Sequence, residues 1–167
     1  MLIMGVDIHM NIVKDNKTIA EEIFDGRNSA WFNQLNHQKD EYEFLHMKYG
    51  ISPQAPKEFD EDKLKKDGYY GFKYFTVKDY LSWFKRTRPD THAGWLTTYE
   101  KWLYEKKGIT PDVGDLRHTI YKDEVISEED LHFVTIVDEY DCSRWLYRYL
   151  IDNKINKKAH VTFWFDC

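Results

Sequence analysis

The N-terminal stretch that sets the architecture is Met4-Gly5-Val6-Asp7-Ile8-His9-Met10-Asn11-Ile12-Val13. Apolar and polar side chains alternate along it, and a period of two residues predicts a strand with one buried face. Turn residues follow at positions 14–17, and residues 18–24 are predicted to pair back as the second arm of a hairpin. The chain is therefore expected to begin with a β-hairpin whose first strand carries a row of polar side chains.

The C-terminal part of the chain predicts further strands with a helix between them. Residues 131–138 alternate as a strand, residues 141–143 can begin a helix, and residues 160–166 form a final strand. The run Phe163-Trp164-Phe165 is typical of a strand that is buried on both faces and lies inside a sheet. A strand, a helix and a strand in succession favour parallel pairing if the two strands are neighbours.

The segment between these strands predicts mainly helices. Asn28 or Ser29 can cap a short helix, and a capping pattern recurs at Thr76 and Thr97, where it predicts two more helix starts. Residues 36–67 carry two prolines and many charges, which indicates a long charged loop with helical pieces. The side chains expected to face inward from the two capped helices are Val77, Tyr80, Leu81 and Phe84, and then Tyr99, Trp102 and Leu103.

Length and composition limit the number of domains, the fold class and the possible partners. A chain of 167 residues with 42% hydrophobic and 17% aromatic residues is expected to fold as a single domain over residues 1–167. We expect an α+β fold: a mixed sheet of at least four strands with an N-terminal hairpin, a C-terminal strand-helix-strand unit and inserted helices. The formal net charge of −5 argues against a nucleic-acid partner. Two cysteines and no long apolar run predict an intracellular setting without a membrane partner.

Asp7 and His9 are the first candidates for chemistry. They are two residues apart on the predicted strand, so both project from one face. An Asp-x-His pair on a first strand is found in metal-dependent phosphoesterases. Further candidate ligands, if the fold gathers them, are Asp25, Asp90, His92 and Asp166. The chain has no Gly-Asn-His and no His-x-His motif, so a structural hydrogen-bonded pair is the favoured interpretation. No cofactor is expected, and a divalent metal is the alternative.

Other candidates concern binding. Arg27 and Asn28 stand at a predicted helix start, where free N–H groups and a guanidinium can hold an anion, although a turn and a cap explain the same residues. Exposed aromatic side chains form hot spots for protein partners, and Trp83, Trp95 and Trp102 are the candidates. His9 and His160 also bear a loose likeness to the paired His-x-Thr motifs of two-histidine phosphoesterases.

Several motifs resemble those of uncharacterised tailed-bacteriophage proteins that open with Met-Gly-Cys-Asp-Ile-His. The matching segments are Met4-Gly5-Val6-Asp7-Ile8-His9, Arg27-Asn28-Ser29-Ala30-Trp31-Phe32, Tyr74-Phe75-Thr76-Val77-Lys78-Asp79-Tyr80-Leu81, Gly94-Trp95-Leu96-Thr97-Thr98-Tyr99-Glu100-Lys101-Trp102 and Val161-Thr162-Phe163-Trp164-Phe165-Asp166-Cys167. Val6 replaces the family cysteine, and Gly71-Phe72 stands where many members have His-Ser. The resemblance implies a phage accessory protein in the cytoplasm of an infected bacterium.

Three functions remain open at this point. The favoured one is binding without catalysis, in which the protein inhibits or sequesters a host bacterial protein such as an antiviral defence component. The alternative is a metal-dependent hydrolase, a phosphoesterase that uses Asp7 and His9. The third is a sponge for nucleotide signals, which needs an aromatic pocket and an arginine such as Arg27.

Overall fold

The structure of the protein, a computed structural model, describes residues 5–37, 45–109, 116–117 and 130–167. The chain divides into two compact units. The first contains the residues up to Arg88 together with Cys142–Cys167, and the second is Pro89–Asp141. Helices and strands occur in both units, so the predicted α+β class is confirmed.

A five-stranded sheet forms the first unit. Its order is β2-β1-β7-β4-β3, and the strands are β1 (Asp7–Lys14), β2 (Lys17–Arg27), β3 (Lys48–Tyr49), β4 (Tyr70–Thr76) and β7 (His160–Asp166). β1 and β2 form the predicted hairpin, and β7 lies inside the sheet between β1 and β4, as its aromatic run indicated. All of the pairings in this sheet are antiparallel.

The sheet is therefore not mixed, and the expected parallel pairing of the two C-terminal strands does not form. The earlier of these strands, β6 (Leu131–Val137), pairs antiparallel with β5 (Thr91–Thr97) in the second unit, whereas β7 belongs to the first. The intervening helix α5 (Cys142–Asp152) joins strands of two different sheets. A parallel crossover requires both strands to lie in one sheet, so its rule does not apply here.

Four helices complete the described part of the first unit: α1 (Ser29–His37), α2 (Glu61–Lys66), α3 (Val77–Thr87) and α5. Asn28 caps α1 by accepting the Trp31 N–H at 2.8 Å, and Thr76 caps α3 by accepting the Asp79 N–H at 3.0 Å. The predicted inward face of α3 is confirmed, because Val77, Tyr80, Leu81 and Phe84 are all buried. Within the predicted charged loop the structure contains β3 and α2, and residues 38–44 of that loop lie outside the described residues.

The second unit is small. Helix α4 (Thr98–Lys107) packs on the β5–β6 pair. Among the residues that the structure describes, the core of this unit contains Leu96, Leu116 and Ile136. Thr97 and Glu100 form the predicted capping box, and Gly108 ends the helix in the left-handed conformation. The predicted burial of Tyr99 and Trp102 is wrong, since their exposures are 66% and 45%. The helix turns Tyr104 toward the core instead. Of the helices described, none is long and apolar enough to cross a membrane.

Candidate functional site

Strand pairing assembles a polar cluster on one face of the sheet. Across the β1–β2 pair, Asp7 stands opposite Arg27 and His9 opposite Asp25. Across the β1–β7 pair, Asp7 also stands opposite Asp166. Directly opposed residues share a face, and this face lies away from the core because Ile8, Met10 and Ile12 occupy the other side of β1. The fold therefore brings together the candidate residues Asp7, His9, Asp25 and Asp166.

His9 is at the centre of this cluster. Its Nδ1 lies 3.2 Å from Glu22 Oε2 and 3.5 Å from Asp25 Oδ1, and its Nε2 lies 3.2 Å from Asp166 Oδ2. The His9 side chain is 11% exposed, whereas Glu22 and Asp25 are 42% and 63% exposed. One imidazole thus has carboxylates at both ring nitrogens, and the Nδ1 side is open to solvent.

Aromatic side chains fix the orientation of the His9 ring. Trp164 stacks on it with ring centroids 5.7 Å apart, and Tyr69 meets it edge-on at the same distance. Trp164 is in turn packed by Phe59 and Phe72. The imidazole can therefore present each nitrogen to a fixed set of carboxylates.

A bulge in β2 brings Glu22 to His9. Met10 pairs with Phe24 and Ile12 with Ala20, so residues 21–23 of β2 stand opposite Asn11 alone. Glu22 has a φ of 48°, in the left-handed region, and its N–H donates to Asn11 Oδ1 at 2.8 Å. Sequence reasoning missed Glu22, because a regular alternation gives no reason to place it on the polar face. The one signal was the break in alternation at residues 21–22.

The charges around His9 favour its protonated form. Burial alone would lower the pKa of His9, but the hydrogen bond and charge of Glu22, followed by Asp166, outweigh burial and raise that pKa above its usual value. His9 Nε2 and Asp166 Oδ1 are both buried and have no hydrogen-bond partner. Although Nε2 and Asp166 Oδ2 are 3.2 Å apart, the pair is close in distance without the alignment of a hydrogen bond.

Asp7 has a different partner from the one its pattern indicated. Arg27 Nε donates to Asp7 Oδ1 at 2.6 Å, and this hydrogen bond is the main reason that the pKa of Asp7 is lowered. The same contact raises the pKa of Arg27. The Arg27 side chain is 55% exposed, so the rest of its guanidinium is accessible beside the His9 cluster.

The remaining binding candidates are scattered. The Asn28 side chain is engaged in capping α1, and Trp83 is fully buried on α3, where the core prevents contact with a partner. Trp102 is 45% exposed, and Trp95 packs against Phe133, which is 62% exposed, at 5.4 Å. Of the three tryptophans that sequence reasoning named, only those of the second unit reach its surface.

His160 does not join His9. Val13 pairs with His160 and His9 with Trp164, so the two histidines are offset by four residues along the strands, which is about 13 Å. His160 Nδ1 contacts Ser52 Oγ at 2.7 Å and its Nε2 contacts Gln54 Nε2 at 3.0 Å. One phosphate cannot bridge that separation, so the two-histidine arrangement does not form.

The second unit contains another group of possible ligands. His92 Nε2 lies 3.9 Å from Asp138 Oδ2, and Asp141 completes a set whose ligand atoms are within 4.8 Å of one another. His9, Glu22 and Asp25 meet the same distance limit in the first unit.

Comparisons of the chain with protein-family models, with curated proteins and with solved structures found no match.

Proposed function

We propose that the protein is a metal-dependent hydrolase that acts on phosphate esters, with a divalent cation held by His9, Glu22 and Asp25. The observation that carries this proposal is the convergence of one imidazole nitrogen and two carboxylates, with Nδ1 at 3.2 and 3.5 Å from the two oxygens. Ligands bound at about 2.0–2.2 Å to one cation stand about 3–3.5 Å from each other. Nitrogen and oxygen donors together suit Zn²⁺ or Mn²⁺.

Asp166 supports this proposal from the opposite side of the ring. Histidines that bind metals commonly present their other nitrogen to a carboxylate, which fixes the tautomer and raises the basicity of the ligand. Asp166 lies on that side of the ring, with Oδ2 3.2 Å from His9 Nε2, and would take that role after a small rotation that aligns the two groups for a hydrogen bond. A proton held at Nε2 leaves the lone pair of Nδ1 directed toward Glu22 and Asp25.

The exposure of the ligands favours a catalytic site over a closed structural one. Three protein ligands leave coordination positions for water and substrate, and Glu22 and Asp25 are open to solvent. A divalent cation bound there would polarise a phosphoryl oxygen and acidify a bound water. In the hydrolysis, the oxygen of water forms a bond to phosphorus, the ester P–O bond breaks, and the alcohol leaves with a proton.

Arg27 supplies the reason to name an anionic substrate. It lies two residues beyond Asp25 on β2, and Asp7 holds its Nε at 2.6 Å. A guanidinium fixed at Nε still has its terminal N–H groups to donate, and these suit phosphate oxygens. The proposal therefore gives His9, Glu22 and Asp25 the cation and gives Arg27 the phosphate.

Metal binding and hydrolysis test this proposal. Protein that has been treated with a chelator and freed of it should bind an equimolar amount of Mn²⁺ or Zn²⁺ in calorimetry. The metal-loaded protein should then hydrolyse bis(p-nitrophenyl) phosphate. Glu22→Gln and Asp25→Asn should each weaken binding and abolish hydrolysis, whereas Asp138→Asn, the matched control in the second unit, should change neither. Unchanged binding in the first two variants, or loss in Asp138→Asn alone, contradicts the proposal.

A second candidate is binding to a host bacterial protein, as the resemblance to phage proteins implies. It is supported by the exposed aromatic side chains of α4: Tyr99 and Trp102 stack at 6.0 Å, and the Lys107 ammonium lies 5.2 Å from the Trp102 ring centre. Trp and Tyr are enriched in the hot spots of interfaces. An aromatic and cationic surface suits an acidic patch on the partner.

This candidate requires an identified partner and a matched control. A host protein captured from bacterial lysate should, once purified, bind the wild-type chain, and Trp102→Ala or Tyr99→Ala should weaken that binding at least about tenfold. Tyr140→Ala removes an aromatic side chain that is 92% exposed and should leave binding unchanged. Equal affinity for all of these variants rejects the α4 surface as the contact.

A further inference from the structure

We infer that Asn11 is a positioning residue of the metal centre, which holds Glu22 on the His9 side of the sheet; this inference rests on the proposed function. Asn11 is 4% exposed, and its side-chain oxygen accepts the Glu22 N–H at 2.8 Å. Asn11 therefore acts through Glu22, whose carboxylate lies 3.2 Å from His9 Nδ1.

The register shows what the bulge accomplishes. Met10 pairs with Phe24, and a regular antiparallel strand would next place Glu22 opposite Ile12. Ile12 is fully buried in the core, so Glu22 would then face apolar side chains. The observed pairing places Ala20 opposite Ile12 instead. Because of the bulge, the methyl group of Ala20 lies on the core face where the carboxylate of Glu22 would otherwise lie. The Glu22 carboxylate lies on the polar face instead.

The side-chain amide of Asn11 stabilises the bulged conformation of β2 at Glu22. A bulged residue is left out of the ladder, so its N–H needs another acceptor. Glu22 also adopts a φ of 48°, a conformation that a residue with a side chain takes only when its surroundings impose it. Asn11 Oδ1 satisfies the N–H at that residue. A short amide side chain directly opposite the bulge meets the requirement, and an apolar side chain of the same size does not.

Three variants separate positioning from general stability. Asn11→Leu removes the acceptor, and Asn11→Asp retains an oxygen at the same place. Thr162→Val is the matched control: Thr162 pairs with Asn11 across the sheet, is fully buried, and its hydroxyl has no hydrogen-bond partner. Circular dichroism checks that each variant is folded at the temperature of measurement.

The first readout is the dissociation constant for Mn²⁺ or Zn²⁺ measured by calorimetry. Asn11→Leu should weaken binding about 10–100-fold, as loss of an outer partner of a metal ligand commonly does, while Asn11→Asp and Thr162→Val retain wild-type affinity. In a Glu22→Gln background, Asn11→Leu should have no further effect on affinity. Wild-type affinity in Asn11→Leu, or an equal loss in the Glu22→Gln background, overturns the inference.

The second readout does not depend on metal. Hydrogen exchange of the Glu22 amide, followed by NMR in the chelated protein, should accelerate in Asn11→Leu and remain slow in Asn11→Asp and Thr162→Val. Unchanged exchange in Asn11→Leu overturns the inference whatever the metal result. Failure of the proposed function gives a different result, because the wild-type protein itself would then bind no cation. In that case Asn11 would have no metal centre to position, and the inference would also be rejected.

Discussion

Arg27 and Asp7 face each other across the first hairpin, and Arg27 Nε donates to Asp7 Oδ1 at 2.6 Å. The contact occupies one oxygen of Asp7 and fixes the guanidinium beside His9 and its carboxylate neighbours. In the proposed function, Asp7 therefore orients Arg27 to bind the anionic substrate, and the cation is bound by His9, Glu22 and Asp25.

Arg27→Gln should therefore impair substrate binding far more than cation binding. Loss of a charge-assisted hydrogen bond to phosphate should raise the KM for bis(p-nitrophenyl) phosphate about 10–100-fold. The dissociation constant for Mn²⁺ should change far less than KM, because the three proposed ligands are intact, and the melting temperature should fall only slightly with the loss of the exposed ion pair to Asp7. Arg86→Gln, which removes an exposed cation from α3, is the control and should leave KM unchanged. An equal rise in both variants would indicate general charge attraction.

Gly71 should tolerate no side chain. Its φ is +71°, and a Cβ built there would lie 2.4 Å from Phe165 Cδ2, whose ring is fully buried. Gly71→Ala should therefore lower the free energy of unfolding by about 2–4 kcal/mol, from overpacking together with the left-handed backbone. Urea unfolding measures this loss.

Gly108→Ala is the matched control for that variant. Gly108 has a similar φ of +67° but nothing within 4 Å of a built Cβ. Only the backbone cost remains there, about 1 kcal/mol. Equal losses at the two glycines would mean that the Phe165 ring moves aside.

Trp83 and Trp102 should differ sharply in their effect on stability. Trp83 is fully buried on α3, so Trp83→Ala should lower the free energy of unfolding by about 3–5 kcal/mol. Trp102 is 45% exposed, and Trp102→Ala should change it by about 1 kcal/mol or less. Thermal unfolding followed by circular dichroism makes the comparison. A small effect of Trp83→Ala would contradict its placement in the core.

His160 should make the fold sensitive to acid. Burial, followed by the charge of Lys48, lowers the pKa of His160, and the Gln54 amide donates to Nε2 and so excludes a proton there. The unfolded chain, with a histidine pKa of about 6.5, then binds more protons than the folded chain between the two pKa values. The free energy of unfolding should fall as the pH drops from about 6.5 through the lowered pKa of His160.

His160→Gln isolates this contribution. Urea unfolding of the variant, measured between about pH 8 and pH 5, should fall less steeply than that of the wild type. His9 has the opposite sign, because its raised pKa contributes stability that is lost as the pH rises through it. The difference between wild type and variant removes that shared effect. Parallel curves would show that His160 titrates normally in the folded protein.

Local sequence patterns predicted the structural elements whose formation depends on residues near one another in the chain. The hairpin, the interior position of β7 and the cap residues Thr76 and Thr97 follow from alternation and capping. The strands β4 and β5 were missed, because the aromatic run of β4 lacks alternation and both strands end directly at helix caps. Glu22 was missed for a different reason, since a bulge shifts the face of a strand without leaving a regular pattern. Which carboxylates reach His9 depends on strand register, which is a long-range property.

The second unit is inserted between two helices that pack on each other within the first. Tyr80 on α3 donates to the Ser143 carbonyl at 2.6 Å, and Phe84 stacks on Tyr147 of α5 at 4.3 Å. The chain thus leaves the first unit at Arg88 and re-enters it at Cys142 from neighbouring helices. Because both connections to the second unit are made at helix ends, changes among its described residues need not break any strand of the five-stranded sheet.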